Sequence, residues 1–144
     1  MTGYMTTFAG YVMPAQCDHL GHMNVQHYFA AVGEGVFALQ TAFGLGPSQV
    51  AARRLSLAVV HTEATFKSEL VAGDVIRLDS GVIDVGTKSV TFRHHLIRVE
   101  DGTIAFDARF KTVLLDLDSR AAVALPDDIR DAVLRHRVAD PENP

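Results

Sequence analysis

Cysteine, long apolar runs and clustered positive charge are all scarce in this chain of 144 residues. The single cysteine excludes an internal disulfide and a cysteine-rich zinc site. No run of about 18 apolar residues is present, which argues against a transmembrane helix. Residues 1–8 lack the basic start and apolar centre of a signal peptide. We therefore expect a soluble, cytoplasmic protein with no membrane partner.

The charge balance argues against a nucleic-acid partner. The formal net charge is −4, from 13 basic and 17 acidic residues, and the chain has no basic block. Proteins that neutralise nucleic-acid phosphates usually cluster Lys and Arg on one face. Apolar residues make up 48% of the chain. That content and the length suit a single folded domain, residues 1–144, with a sizeable core.

Apolar periodicity predicts one long helix in the first third of the chain. From Val25 to Phe43 the apolar positions recur in steps of three and four. Small residues such as Gly33 and Gly35 lie among them, and polar positions are few. A helix that is apolar nearly all round is typical of a buried helix, and its small residues favour close approach of another backbone.

Strands are predicted on both sides of this helix. Residues 7–13 form the first strand, which ends at Pro14 because proline lacks the donor for a strand ladder. After the helix, alternation or a continuous apolar run predicts four more strands, over residues 55–66, 74–84, 88–99 and 103–117. Hairpin turns at 84–87 and 100–102 join the last three. A short helix is expected from 125 to about 137.

One short run concentrates side chains that can do chemistry. From Cys17 to Tyr28 the chain reads Cys-Asp-His-Leu-Gly-His-Met-Asn-Val-Gln-His-Tyr, and the predicted helix begins inside this run. The first N–H groups of a helix lack internal partners and attract negative charge. Acid and base groups at such a place are the strongest candidates for an active site in this chain.

The order of elements and this run together resemble a known family. One helix that is apolar all round requires a sheet that curls around it, which predicts an α+β hotdog fold: a five-stranded antiparallel sheet wrapped around a long central helix. The family pattern Asp-x-x-Gly-His-x-Asn-x-x-x-Tyr is met by Asp18, Gly21, His22, Asn24 and Tyr28. The chain thus resembles, over about residues 7–130, the hotdog-fold acyl-CoA thioesterases of the 4-hydroxybenzoyl-CoA thioesterase-like group.

The resemblance implies roles for several residues. The Asp18 carboxylate would attack the thioester carbonyl or activate a water, and the Val25 N–H would stabilise the oxyanion at the helix start. His22 and Asn24 would assist, and Glu63 would lie near the site. Ordinary structural roles also fit these residues. Asp18 can cap a helix or a turn, His22 and Asn24 can bond the loop to itself, and Glu63 can pair at a sheet edge.

Four further residues are candidates for binding the substrate. Tyr28 would pack the first helical turn in the core and place its hydroxyl near the site. Lys88, Ser89 and Arg93 would meet the phosphates of coenzyme A, to which Lys and Arg bind well. The same three residues also fit a solvated hairpin and strand.

Several other residues in and just after this run receive no role. The family often carries an acid five residues after the motif tyrosine, where this chain has Gly33, and Glu34 lies one position later on the helix, about 100° away. Cys17, His19 and His27 fit ordinary loop positions. Histidine spacing here matches no familiar zinc motif, so we expect no metal and no redox cofactor.

The resemblance implies an acyl-CoA thioesterase that converts a small or medium acyl-CoA to free acid and CoA. It also implies a homodimer or homotetramer, because the family pairs its sheets and exposed sheet edges are usually protected. Two alternatives remain, a hotdog enoyl-CoA hydratase and a non-catalytic acyl-CoA-binding hotdog protein. The acyl group stays open among aromatic, fatty and betaine- or carnitine-like groups.

Overall fold

A computed structural model describes residues 3–140, and within them one antiparallel sheet packs against one side of the longest helix. The elements run in the order strand, two helices, four strands and a last helix. Their bounds are β1 Met5–Tyr11, α1 Val25–Ala42, α2 Pro47–Arg53, β2 Leu55–Phe66, β3 Val75–Val85, β4 Ser89–Arg98, β5 Thr103–Asp116 and α3 Asp127–Leu134. A short 3-10 turn, Pro14–Gln16, follows β1.

The sheet order is β1-β3-β4-β5-β2, and every neighbouring pair is antiparallel. Hairpins join β3 to β4 and β4 to β5, as the turn residues predict. Strand β2 precedes these hairpins in the chain and pairs with the far side of β5. Strands β1 and β2 therefore form the two edges of the sheet. This is an α+β hotdog fold, and the prediction of that fold from the sequence is confirmed.

Alternation along β4 shows how the sheet encloses its core. Phe92, His94 and Leu96 point inward and are fully buried. Arg93 and His95 point to the outer face, yet they are only 6% and 7% exposed. The outer face is therefore drier at these positions than alternation alone predicts.

Helix α1 is buried on one side only. Tyr28, Val32 and Leu39 face the sheet and are at most 4% exposed, whereas Phe37 is 71% exposed. The prediction of a helix buried nearly all round is therefore wrong for the single chain. A close approach does occur at Gly35, but side chains make it rather than the predicted backbone, since an added Cβ would lie 2.8 Å from side-chain atoms of both Leu78 and Thr7.

Local boundaries differ from the predicted ones in three places. Strand β1 begins and ends two residues earlier, because the chain turns at Pro14–Gln16. No apolar pattern predicts α2, which is only seven residues long and starts at its proline. The last helix ends at Leu134, three residues before the predicted end.

Among residues 3–140, no single helix has the length and apolar character to cross a membrane. Helices α1 and α2 reach that length and composition only when taken together, and the chain bends by 70° between them.

Candidate functional site

The run before α1 folds into a loop that fixes the carboxylate of Asp18. Its Oδ1 accepts the N–H of Leu20 at 2.9 Å, and its Oδ2 accepts the side-chain amide of Asn24 at 2.9 Å. Gly21 adopts a positive φ of 84°, which a glycine tolerates and which closes the turn. The bond from Asn24, followed by that from Leu20, lowers the pKa of Asp18 below its ordinary value. The carboxylate is therefore fixed in position and ionised at neutral pH.

Asn24 connects this carboxylate to the helix. It is the N-cap of α1, and its Oδ1 accepts the backbone N–H of Gln26 at 3.2 Å while its amide nitrogen donates to Asp18. Val25 follows as the first helical residue, so its N–H has no partner inside the helix. The N-terminus of α1 and the Asp18 carboxylate thus lie side by side, as the sequence predicts.

A pocket of about 520 Å³ opens at this point. One wall comes from the loop and the start of α1, and the opposite wall comes from the end of β2 and the residues after it. The lining residues are Asp18, Leu20, His22, Met23, Asn24, Val25, Tyr28, Phe66, Lys67, Ser68 and Glu69. Five of the predicted site residues therefore meet at one pocket, namely Asp18, His22, Asn24, Val25 and Tyr28.

Tyr28 belongs to both the pocket and the core. It is 4% exposed, and its ring lies edge-on to Phe66 at 5.1 Å and tilted against Phe106 at 5.3 Å. Burial raises the pKa of its hydroxyl. Tyr28 and Phe66 thus form the aromatic side of the pocket.

The sequence patterns gave no sign of the second wall. Glu69 brings a carboxylate oxygen to 3.4 Å from Nδ1 of His22. The segment reaches the loop because the N–H of Met23 donates to the carbonyl of Leu70 at 2.8 Å. This contact joins residues that are far apart in the chain, and no local signal in the sequence points to it.

The remaining predicted residues lie elsewhere in the single chain. Lys88 and Ser89 lie at the β3–β4 hairpin, at the end of β4 away from the pocket. Arg93 is on the outer sheet face, where its guanidinium pairs with Asp107 at 2.7 Å. Glu63 faces the same side, beside Arg93 in a small cleft of about 70 Å³. Neither Glu63 nor Arg93 lines the Asp18 pocket.

The other histidines of the run form no metal site. Among residues 3–140, no three His, Cys, Asp or Glu side chains are grouped so that they could hold a metal ion. His19 and the half-buried Cys17 do not line the pocket. The polar groups at the pocket are therefore carboxylates, an imidazole, amides, hydroxyls, the ammonium of Lys67 and a helix N-terminus.

Comparison with solved structures shows which fold the chain shares. A hypothetical protein from Staphylococcus aureus, solved in complex with CoA, has a TM-score of 0.86 and 21% identity over 99% of this chain and 92% of its own. A 1,4-dihydroxy-2-naphthoyl-CoA thioesterase from Synechocystis has a TM-score of 0.78 and 16% identity over 98% and 99%. A gentisyl-coenzyme A thioesterase has a TM-score of 0.74 and 20% identity over 88% of this chain and 98% of its own. At these identities the likeness concerns the fold.

Sequence comparison identifies the family. No curated protein matches the chain. The family pattern of the thioesterase-like superfamily matches residues 12–133, which include the loop, α1 and all of β2 to β5. The chain therefore belongs to the thioesterase-like superfamily and is a thioester hydrolase.

Proposed function

We propose that this protein hydrolyses the thioester of an acyl-CoA, with the Asp18 carboxylate as the nucleophile. The observation that carries the proposal is the fixed carboxylate at the pocket, held by Asn24 and Leu20. The lowered pKa keeps Asp18 ionised, and its two hydrogen bonds hold the carboxylate in one orientation, as attack on the carbonyl carbon requires.

The helix start supplies the proposed oxyanion site. Attack on a thioester places negative charge on the carbonyl oxygen, and the N–H of Val25 and the dipole of α1 can stabilise that charge. The leaving group is a thiolate, and the remaining reactant is water. The proposed reaction therefore needs no metal and no redox cofactor.

The lining favours an acyl group that is apolar or aromatic. Leu20, Met23, Tyr28 and Phe66 offer apolar surface inside the pocket. The carboxylates of Asp18 and Glu69 disfavour an acyl chain that ends in a carboxylate of its own. Two of the structurally similar proteins act on aromatic acyl-CoA thioesters, and a third binds CoA. A substrate of this class is our proposal for this chain as well.

The working form is proposed to be a homodimer or a larger homo-oligomer. Within residues 3–140, strand β2 pairs only with β5, so its other edge offers backbone groups without a strand partner. Nearby apolar side chains on α1 and β2 are exposed, including Phe37 at 71% and Val60 at 56%. Contact of Lys88 and Ser89 with CoA phosphates requires a second copy, because they lie far from the pocket in one chain.

A panel of acyl-CoAs with a thiol-detecting reagent tests the proposal. We expect release of free CoA and a loss of at least about 100-fold in kcat for Asp18→Asn. Asp116→Asn is the matched control, because Asp116 also accepts backbone N–H groups in a turn but lies away from the pocket. Full activity of Asp18→Asn would refute the assigned role.

The same panel separates the alternatives. A hydratase would change the absorbance of an enoyl-CoA without releasing thiol. Tight binding of acyl-CoA without turnover would indicate a non-catalytic binder. Sedimentation of the purified protein measures the oligomeric state, and a monomer at assay concentration would refute the proposed assembly.

A further inference from the structure

A second carboxylate stands at the pocket beside the imidazole of His22. Glu69 Oε1 lies 3.4 Å from Nδ1 of His22, and both residues line the pocket with Asp18. The side chain of Glu69 is 72% exposed and that of His22 is 26% exposed. A pair between such exposed groups adds little to stability, so its place at the pocket is the feature that needs a reason.

The backbone around Glu69 is held firmly on both sides. Leu70 is fully buried, and its carbonyl accepts the N–H of Met23, the residue that follows His22. The carbonyl of Glu69 accepts the guanidinium of Arg98 at 3.1 Å. Asp101 in turn holds that guanidinium at 2.9 Å. The main chain therefore keeps Glu69 and His22 opposite each other although their side chains meet water.

His22 is equally fixed relative to Asp18. The carbonyl of His22 accepts the N–H of Asp18 at 3.1 Å, so the backbone of His22 is hydrogen-bonded to that of the proposed nucleophile. Asp18 already accepts two hydrogen bonds, and its pKa is lowered. It is therefore poorly suited to take a proton from water, and the imidazole of His22 is the neighbouring group at the pocket that can serve as a general base.

We infer that Glu69 is a positioning residue that accepts the Nδ1–H of His22 and so leaves Nε2 of that ring free to act as a base. A carboxylate on one imidazole nitrogen fixes both the tautomer and the orientation of the ring. The inference rests on the proposed hydrolysis and extends it to a residue that the sequence patterns did not indicate.

The proton balance of the reaction is then complete. Asp18 attacks the carbonyl carbon, the C–S bond breaks, and CoA leaves as a thiolate from a mixed anhydride on Asp18. Water attacks the acyl carbonyl of the anhydride while His22 Nε2 takes one of its protons. The C–O bond to Asp18 breaks and the carboxylate returns. The imidazolium of His22 then gives its proton to the thiolate, which yields free CoA and the acid.

A double-mutant cycle tests whether Glu69 acts through His22. We expect Glu69→Gln to lower kcat about tenfold with KM changed less than about twofold, since outer partners of functional histidines carry effects of that size. In the His22→Asn background, Glu69→Gln should change kcat less than about twofold. Equal losses in both backgrounds would overturn the inference. Glu100→Gln, which removes an exposed glutamate away from the pocket, should leave kcat unchanged.

The tautomer of His22 gives a readout that does not depend on turnover. Proton–nitrogen NMR of the free protein, with His22 assigned from the His22→Asn variant, should show the proton on Nδ1. In Glu69→Ala, which removes the acceptor, the proton should move toward Nε2. A proton on Nε2 in both proteins overturns the role of Glu69. Failure of the wild-type protein to cleave any acyl-CoA refutes the proposed function, and the tautomer still decides the contact.

Discussion

His94 should make the stability of this protein fall steeply in mildly acidic solution. Its ring is fully buried between Phe92 and Phe110, with centroid distances of 5.9 and 5.3 Å. Nδ1 bonds the hydroxyl of Ser80 at 2.7 Å, and that hydroxyl bonds Thr7 at 2.8 Å. Burial, reinforced by the neighbouring His95, lowers the pKa of His94 from 6.5 to about 3.

The direction of the effect follows from which state binds the proton. In the unfolded chain His94 takes up a proton below about pH 6.5, whereas in the folded protein it stays neutral down to about pH 3. The unfolded state therefore gains about 1.4 kcal/mol per pH unit between these values. From pH 7 to pH 5 the free energy of unfolding should drop by about 2 kcal/mol because of this one residue.

Urea unfolding at pH 7 and pH 5 measures this drop, at one protein concentration so that any assembly contributes equally. His94→Gln can keep the hydrogen bond to Ser80 but does not titrate, so its loss over the same interval should be smaller by about 2 kcal/mol. The carboxylates with lowered pKa, such as Asp107, lose their stabilising charge only in more acidic solution. An equal loss in wild type and variant would refute the reasoning.

Three further outcomes are expected. Gly35→Ala should lower the free energy of unfolding by about 1–3 kcal/mol, because the new Cβ would lie 2.8 Å from Leu78. Gly33→Ala, with no atom within 4 Å, should raise it by up to about 1 kcal/mol in thermal or urea unfolding of the same helix. Asn24→Asp keeps a cap but puts a like charge beside Asp18, which raises the pKa of Asp18. The acid limb of kcat/KM should then move to higher pH, and an unmoved limb would contradict the role of Asp18.

Local patterns predicted the part of the site that folds locally. The hydrogen bonds that join Asp18, His22 and Asn24 span at most six residues, and Val25 follows Asn24 directly. A loop before a helix start was therefore enough to group these four residues. Glu69 joins them only because the backbone of Met23 meets that of Leu70 across the fold. No periodicity or short motif carries information about such a contact.

The outer sheet face shows a second limit of reasoning from a pattern. Arg93 lies on the face of β4 opposite its apolar side, and the sequence predicted a contact with CoA phosphates because Lys and Arg bind phosphates well. Asp107 on the adjacent strand pairs with that guanidinium through bonds of 2.7 and 3.0 Å. The Arg93 side chain is buried there. Which charges meet across two strands depends on register, and register is a property of the sheet rather than of either strand.

The identity of the N-cap explains why fold and site coincide at one residue. Ser, Thr, Asp and Asn all cap helices well, because each offers an oxygen to a free N–H of the first turn. Asn24 also donates a hydrogen bond from its amide N–H to Asp18, while its oxygen caps α1. Only asparagine carries both an acceptor for the cap and a separate N–H donor for the carboxylate. The residue that starts the helix therefore also orients the nucleophile, so the position of the Asp18 carboxylate is tied to the start of α1.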